Sequence, residues 1–209
     1  MRTGVNAPER SLLVACLLTL SGGFLDAFTW LSLGGVFASS QTGNVAFLGI
    51  DAMSGQWRQA VHHLLPIVAF LLGASLAIRI RAPLRCLVGE IVCLTVVMLL
   101  LHRIPEMIAI LAISFGVALR SASFRQVERW QFLTVTVTGN MLRAIDQSVA
   151  ASDRDAARGT WIMFLLCLMF LVGAALGCCA TKWIGKWSLA FPVISSACVL
   201  WLCRRLRRS

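Results

Sequence analysis

The alternation of apolar and polar positions divides the chain into six long apolar stretches, roughly 11–33, 60–81, 86–102, 106–122, 159–182 and 188–203. Charges gather at their ends, and Trp161 to Ala180 carries none. A bilayer core about 30 Å thick needs about 20 helical residues to cross it, which several of these stretches supply. Two shorter stretches, about 36–50 and 131–146, are apolar but studded with Ser, Thr, Gln and Asn. The pattern therefore predicts an all-α membrane protein with six transmembrane helices and two shorter elements of a different character.

The pattern also repeats. Thr42-Gly43-Asn44 recurs as Thr138-Gly139-Asn140, and Phe70-Leu71-Leu72-Gly73-Ala74 recurs as Phe170-Leu171-Val172-Gly173-Ala174. Gly22, four residues before Asp26, has its counterpart in Gly116, four before Arg120. Three matches in the same order, at offsets of 96, 100 and 94, read as an internal duplication within one membrane domain spanning 1–209. Its halves are 11–102 and 106–203.

Composition agrees with the membrane reading. Apolar residues make up 58% and charged residues 13% of the 209, against roughly 45–50% and about 25% in soluble domains. The net charge of +10 sits at the ends of apolar runs, which fits cytoplasmic loops and anionic lipid rather than nucleic acid. Charge also separates two topologies. If the short stretches dip into the membrane and return, six crossings place 15 of the 19 Lys and Arg inside, leaving Arg58, Arg103, Lys182 and Lys186 outside. If the short stretches cross fully, the division is 11 against 8. The first arrangement is expected, with both termini cytoplasmic and two inverted three-helix repeats.

Each Thr-Gly-Asn segment then reads as a re-entrant loop: an extended limb in, a turn at Gly43 or Gly139, and a short helix out. The β-branched run Thr134-Val135-Thr136-Val137-Thr138 favours the extended limb. Irregular backbone at that depth must be buried in protein or line a wet cavity. A half-helix beginning there aims its positive end at the middle of the protein, and inversion brings two such ends together. Broken helices of this kind bind polar or anionic groups in transporters. The candidate binding residues are Asp26, Gln41, Thr42, Gly43, Asn44, Thr138, Gly139 and Asn140. The competing reading is that these segments are structural, with Thr and Asn capping turns in a non-transporting interaction or scaffold protein.

Asp26 is the one acid well inside a predicted helix, where an unpartnered charge costs about 2–3 kcal/mol. It is expected to meet hydroxyls and amides of its own loop, Gln41 or Asn44, rather than Arg120. Glu90, near the start of its helix, is expected to reach the interface beside Arg85 or Arg79. The small residues Gly73, Ala77, Gly173 and Gly177 read as close helix packing between the halves, and the seven tryptophans as an interfacial belt.

No catalytic residue, metal site or cofactor is expected. The eight cysteines form no CxxC pair and have no histidine at ligand spacing. Leu13-Val14-Ala15-Cys16 resembles a lipoprotein cleavage box, but only Ser11 and Leu12 separate it from Arg10, too few for a signal peptide's apolar stretch. The first apolar run is expected to be a retained helix.

Gly22-Gly23-x-x-Asp26-Ala27, Gly34-x-Val36-Phe37-Ala38, and Gln41-Thr42-Gly43-Asn44 with Gly49 resemble the YoaK-type family of bacterial membrane proteins, a family of unknown function. The second Thr-Gly-Asn fits as well, whereas Gly116-Val117-Ala118-Leu119-Arg120 replaces the glutamine- and asparagine-bearing stretch the family implies. The resemblance implies a bacterial inner-membrane location and supplies no reaction. The expected partners are the lipid bilayer and a small polar or anionic solute, with further copies of the chain as an open alternative.

Overall fold

The computed structural model describes residues 7–150 and 154–208, so Arg2, counted above, lies outside them. After a 3-10 turn at Pro8–Arg10 come α1 (Leu12–Ser32), α2 (Gln41–Met53), α3 (Trp57–Ile80), α4 (Pro83–Leu100) and α5 (Glu106–Ser123). A two-residue pairing follows, β1 (Gln126–Val127) with β2 (Trp130–Gln131), then α6 (Val137–Ala150), α7 (Arg154–Ile184), a 3-10 segment Gly185–Leu189, and α8 (Ala190–Arg208). The small hairpin departs from the all-α expectation but adds no layer. It is tied down by the Glu128 N–H donating to the Arg10 carbonyl and by Arg158 gripping the Glu128 carboxylate with two bonds.

Among the described residues five stretches are long and apolar enough to cross a bilayer: Leu12–Ser32, Trp57–Ile80, Pro83–Leu100, Glu106–Ser123 and Arg154–Arg207. The last holds 54 residues, roughly 80 Å as a straight helix and far more than one crossing needs. It is divided at Gly185, whose φ of +56° breaks the helix at little steric cost. Its two limbs, α7 and α8, both pack on α1.

Contacts fix the running direction of each helix. Along α1 and α7 the register rises together: a Cβ at Gly173 would lie 2.0 Å from the Leu20 carbonyl oxygen, and one at Gly177 would lie 2.6 Å from that of Phe24. Along α8 the register falls, because Phe191 stacks on Phe24 while Ser195 donates to the Leu17 carbonyl. The same reasoning sets α4 against α8 (Glu90 with Ser196, Leu87 with Val199) and α4 against α5 (Glu90 with Arg120, Val97 with Ile110). It sets α3 along α5, with Gly73 at Phe115 and Ala77 at Leu119. Relative to α1, then, α4 and α7 run with it, while α3, α5 and α8 run against it.

The short helices lie against their own neighbours in opposite senses. Phe47 stacks on His63, while Phe70 lies beside Thr42, so α2 runs against α3 and with α1. Thr160 donates to the Ala144 carbonyl and Cys167 to that of Val137, so α6 runs against α7 and against α1. The glycine seams join the halves, as expected: α7 packs on α1 and α3 on α5. Side chains at Gly173 or Gly73 would strike the facing backbone, at 2.0 and 2.5 Å respectively. The main apolar core lies between α1, α4 and α5, around Phe28, Leu94, Ile110 and Ile113.

Candidate functional site

The Thr-Gly-Asn triplets lie within the first turn of α2 and of α6, not at the tip of a loop. The expectation of a turn at Gly43 or Gly139 is therefore corrected, because the helices begin at Gln41 and Val137, ahead of the glycines. The cause is a latch that ends the preceding limb. Asn44 Oδ1 accepts the Phe37 N–H at 3.0 Å, and Asn44 Nδ2 donates to the Phe37 carbonyl at 2.7 Å. Asn140 does the same to Leu133, at 3.2 and 2.9 Å. One carboxamide thus satisfies both polar groups of a residue seven positions upstream. Gly43 is needed because a Cβ there would lie 2.7 Å from the Phe37 ring.

Asp26 stands behind the start of α2. Its Oδ1 accepts the Ser39 N–H at 2.7 Å, and its Oδ2 accepts the Ser39 hydroxyl at 2.9 Å and the Ser40 hydroxyl. The expected partners Gln41 and Asn44 are engaged elsewhere: Asn44 Nδ2 donates to Gln41 Oε1, and Gln41 Nε2 donates to the Ala38 carbonyl. A buried carboxyl group, 4% exposed, thus holds the limb that leads into α2 by three hydrogen bonds. Thr29 completes the support by accepting the Ala38 N–H at 3.1 Å. The second half has no acid at the matching place; there Thr134 donates to Ser121.

The two segments meet around one cavity of about 270 Å³, lined by residues 39–42, by residues 135–138 and by Phe70. Of the candidate residues, Gln41, Thr42 and Thr138 line it. Asn44 and Asn140 are buried behind it, Gly43 and Gly139 lie outside its lining, and Asp26 reaches it only through Ser39 and Ser40. Asp26 also borders a neighbouring apolar hollow of about 380 Å³ beside Trp30 and Phe170. At ~30 Å³ per water, the inter-segment cavity of about 270 Å³ has room for about nine waters or a solute of similar volume.

Glu90 overturns its expected role as an interface anchor. It is fully buried and lies 3.1 Å from Arg120 Nη1, which is also fully buried, and it accepts the Ser196 hydroxyl at 3.0 Å. The reason is register: the inward face of α4 that carries Leu87, Leu94 and Val97 also carries Glu90. Arg120 Nε and Nη2 have no acceptor among the described residues. Sequence reasoning expected loop hydroxyls and amides at Asp26 without naming Ser39 and Ser40, and missed Phe37, Leu133 and Ser196. The signal that was available is the seven-residue spacing before each Asn, with an apolar residue, Phe37 or Leu133, at the same place in both halves.

Apolar helices of spanning length, polar groups buried between them and basic residues at their ends define an α-helical membrane protein. The chain belongs to the family described as Protein of unknown function (DUF1275), which it matches over residues 14–202, a region that includes the whole inter-segment cavity. Comparisons with curated proteins and with solved structures found no match.

Proposed function

We propose that this chain is a small transporter or channel-like protein of the bacterial inner membrane, binding a polar or anionic solute between its two Thr-Gly-Asn segments. In this reading six helices cross in two inverted three-helix repeats, α2 and α6 are re-entrant, and both termini are cytoplasmic. The directions of the helices support the inversion, since α1, α3, α4 run up-down-up and α5, α7, α8 run down-up-down. The charge division of 15 Lys and Arg against 4 supports the orientation.

The observation that carries the proposal is the cavity shared by the starts of α2 and α6, two oppositely running helices whose first turns hold hydroxyls and a carboxamide around it. Gln41, Thr42, Thr136 and Thr138 contact the solute, while the two asparagines hold the walls in place. Asp26 already occupies the limb before α2 through Ser39 and Ser40, so an anionic solute is drawn to the α6 side.

Proteoliposomes test this with urea and glycerol as neutral probes and formate and nitrate as anions, entry being followed by stopped-flow light scattering. The wild-type protein should speed entry of at least one probe, and Thr42→Trp, filling the cavity from a position that is not buried, should abolish it. Equal rates with and without protein, or an unaffected Thr42→Trp variant, would sink the transport reading. The scaffold alternative, which the fully satisfied Asp26 and asparagines favour, would then stand.

A further inference from the structure

Two hollows open at one end of the bundle, where the first turn of the chain, the α3–α4 and α5–β1 connections and the end of α8 converge. The first, about 750 Å³, is lined by Arg81, Arg85, Arg204 and Arg207 around the start of α4. The second, about 860 Å³, is lined by Arg10, Arg81, Arg125, Arg143 and Arg207. Arg81, Pro83 and Arg207 belong to both, so the hollows adjoin. Among the described residues Glu9 is the single acid lining either one, and it is already paired with Arg207. Concave walls lined by seven guanidinium groups and one acid focus a strong positive potential.

Three details make this more than scattered orienting charge. Arg81 holds a left-handed backbone, φ 49°, while its N–H caps α3 on the Ala77 carbonyl. Glycine normally takes that position, yet here it carries the side chain shared by both hollows. Arg143 is half-buried, and its Nη1 is shut away from solvent with no acceptor among the described residues. The start of α4, opened by Pro83, adds its positive helix end to the first hollow.

We propose that the joined hollows bind an anion carrying two phosphate groups, one over each set of arginines. Guanidinium groups engage phosphate oxygens with paired, charge-assisted bonds, and the two hollows share the arginines that would lie between the phosphates. The same chemistry is offered by the headgroup of a cardiolipin-type lipid and by a soluble diphosphate. The site is separate from the inter-segment cavity and stands whether or not the protein transports.

The full-length protein in neutral detergent is titrated with pyrophosphate and with orthophosphate. In nanodiscs it is tested with phosphatidylcholine containing cardiolipin or, alternatively, phosphatidylglycerol, and binding is read by native mass spectrometry. A soluble ligand predicts pyrophosphate binding about tenfold or more tighter than orthophosphate; a lipid ligand predicts the same preference for cardiolipin over phosphatidylglycerol. Arg81→Gly suits the left-handed backbone and should keep the fold while weakening the preferred diphosphate about tenfold, as should Arg143→Gln. Arg58→Gln and Arg103→Gln, at the other end of the bundle, should change nothing. Equal binding of diphosphate and monophosphate probes in both arms, or equal losses in the distal variants, overturns the proposal.

Discussion

The carboxamide of Asn44 holds both backbone groups of Phe37, taking its N–H at 3.0 Å and giving to its carbonyl at 2.7 Å. Asn140 repeats the arrangement on Leu133. In each half the limb entering a short helix is therefore pinned to that helix's first turn by one side chain. The shared cavity keeps its shape because both walls are pinned in this way. The latch also explains why the triplet recurs as Asn and not as another cap: only a carboxamide both donates and accepts from adjacent atoms.

Removing a latch should loosen the protein without replacing any residue that lines the cavity. Asn44→Ala and Asn140→Ala leave partly buried backbone groups unmatched, at about 1–3 kcal/mol each. Thermal unfolding in detergent should show both variants destabilised, and the double variant close to additive because the latches share no partner. Asn44→Asp keeps the acceptor but sets a buried carboxylate against the Phe37 carbonyl and Gln41 Oε1, and should be no more stable than Asn44→Ala. A wild-type melting profile for either Ala variant would show that the limbs are held by something else.

The Glu90–Arg120 pair makes a contrasting prediction. Taking one partner away leaves a buried charge alone, a loss of about 3–5 kcal/mol. Arg120→Met or Glu90→Leu alone should therefore unfold at much lower denaturant. The combined variant Glu90→Leu with Arg120→Met should recover most of that loss, since apolar replacement of a buried pair is about neutral or better. A double-mutant cycle measures this directly. Additive losses would mean that the two side chains do not act as a pair.

The proposed inversion has its own check. In a cysteine-free background, Ser54→Cys beyond the end of α2 should react with a membrane-impermeant maleimide in intact cells. Ser148→Cys near the end of α6 should react only after permeabilisation. Both positions facing the same side would show that the halves run parallel.

Much of the architecture was legible in one dimension. Long apolar runs bounded by charge become helices because lipid leaves the backbone no other partner, and the bounds of the predicted apolar runs and of the observed helices differ by a few residues at their ends. The recurring Phe-Leu-x-Gly-Ala motif read as close packing for an equally local reason: only a small residue lets two backbones touch. The small hairpin at 126–131 was not legible, since two-residue strands carry no periodicity to detect.

The side-chain partnerships were another matter. Asp26 was visible as an anomaly, but nothing local says that Ser39 and Ser40 receive it, because Gln41 and Asn44 stand as close in sequence and are claimed by the backbone of residues 37 and 38. Glu90 read as an interface anchor because helix depth can be counted from sequence, whereas the face a residue turns inward depends on how α4 seats against α5 and α8. The sequence by itself determined the long apolar helices and the residues worth watching, both consequences of solvent and local backbone preference. Only the tertiary structure decided which polar groups close on one another and which are left around a cavity, because those pairings join residues distant in the chain and depend on the packing of whole helices.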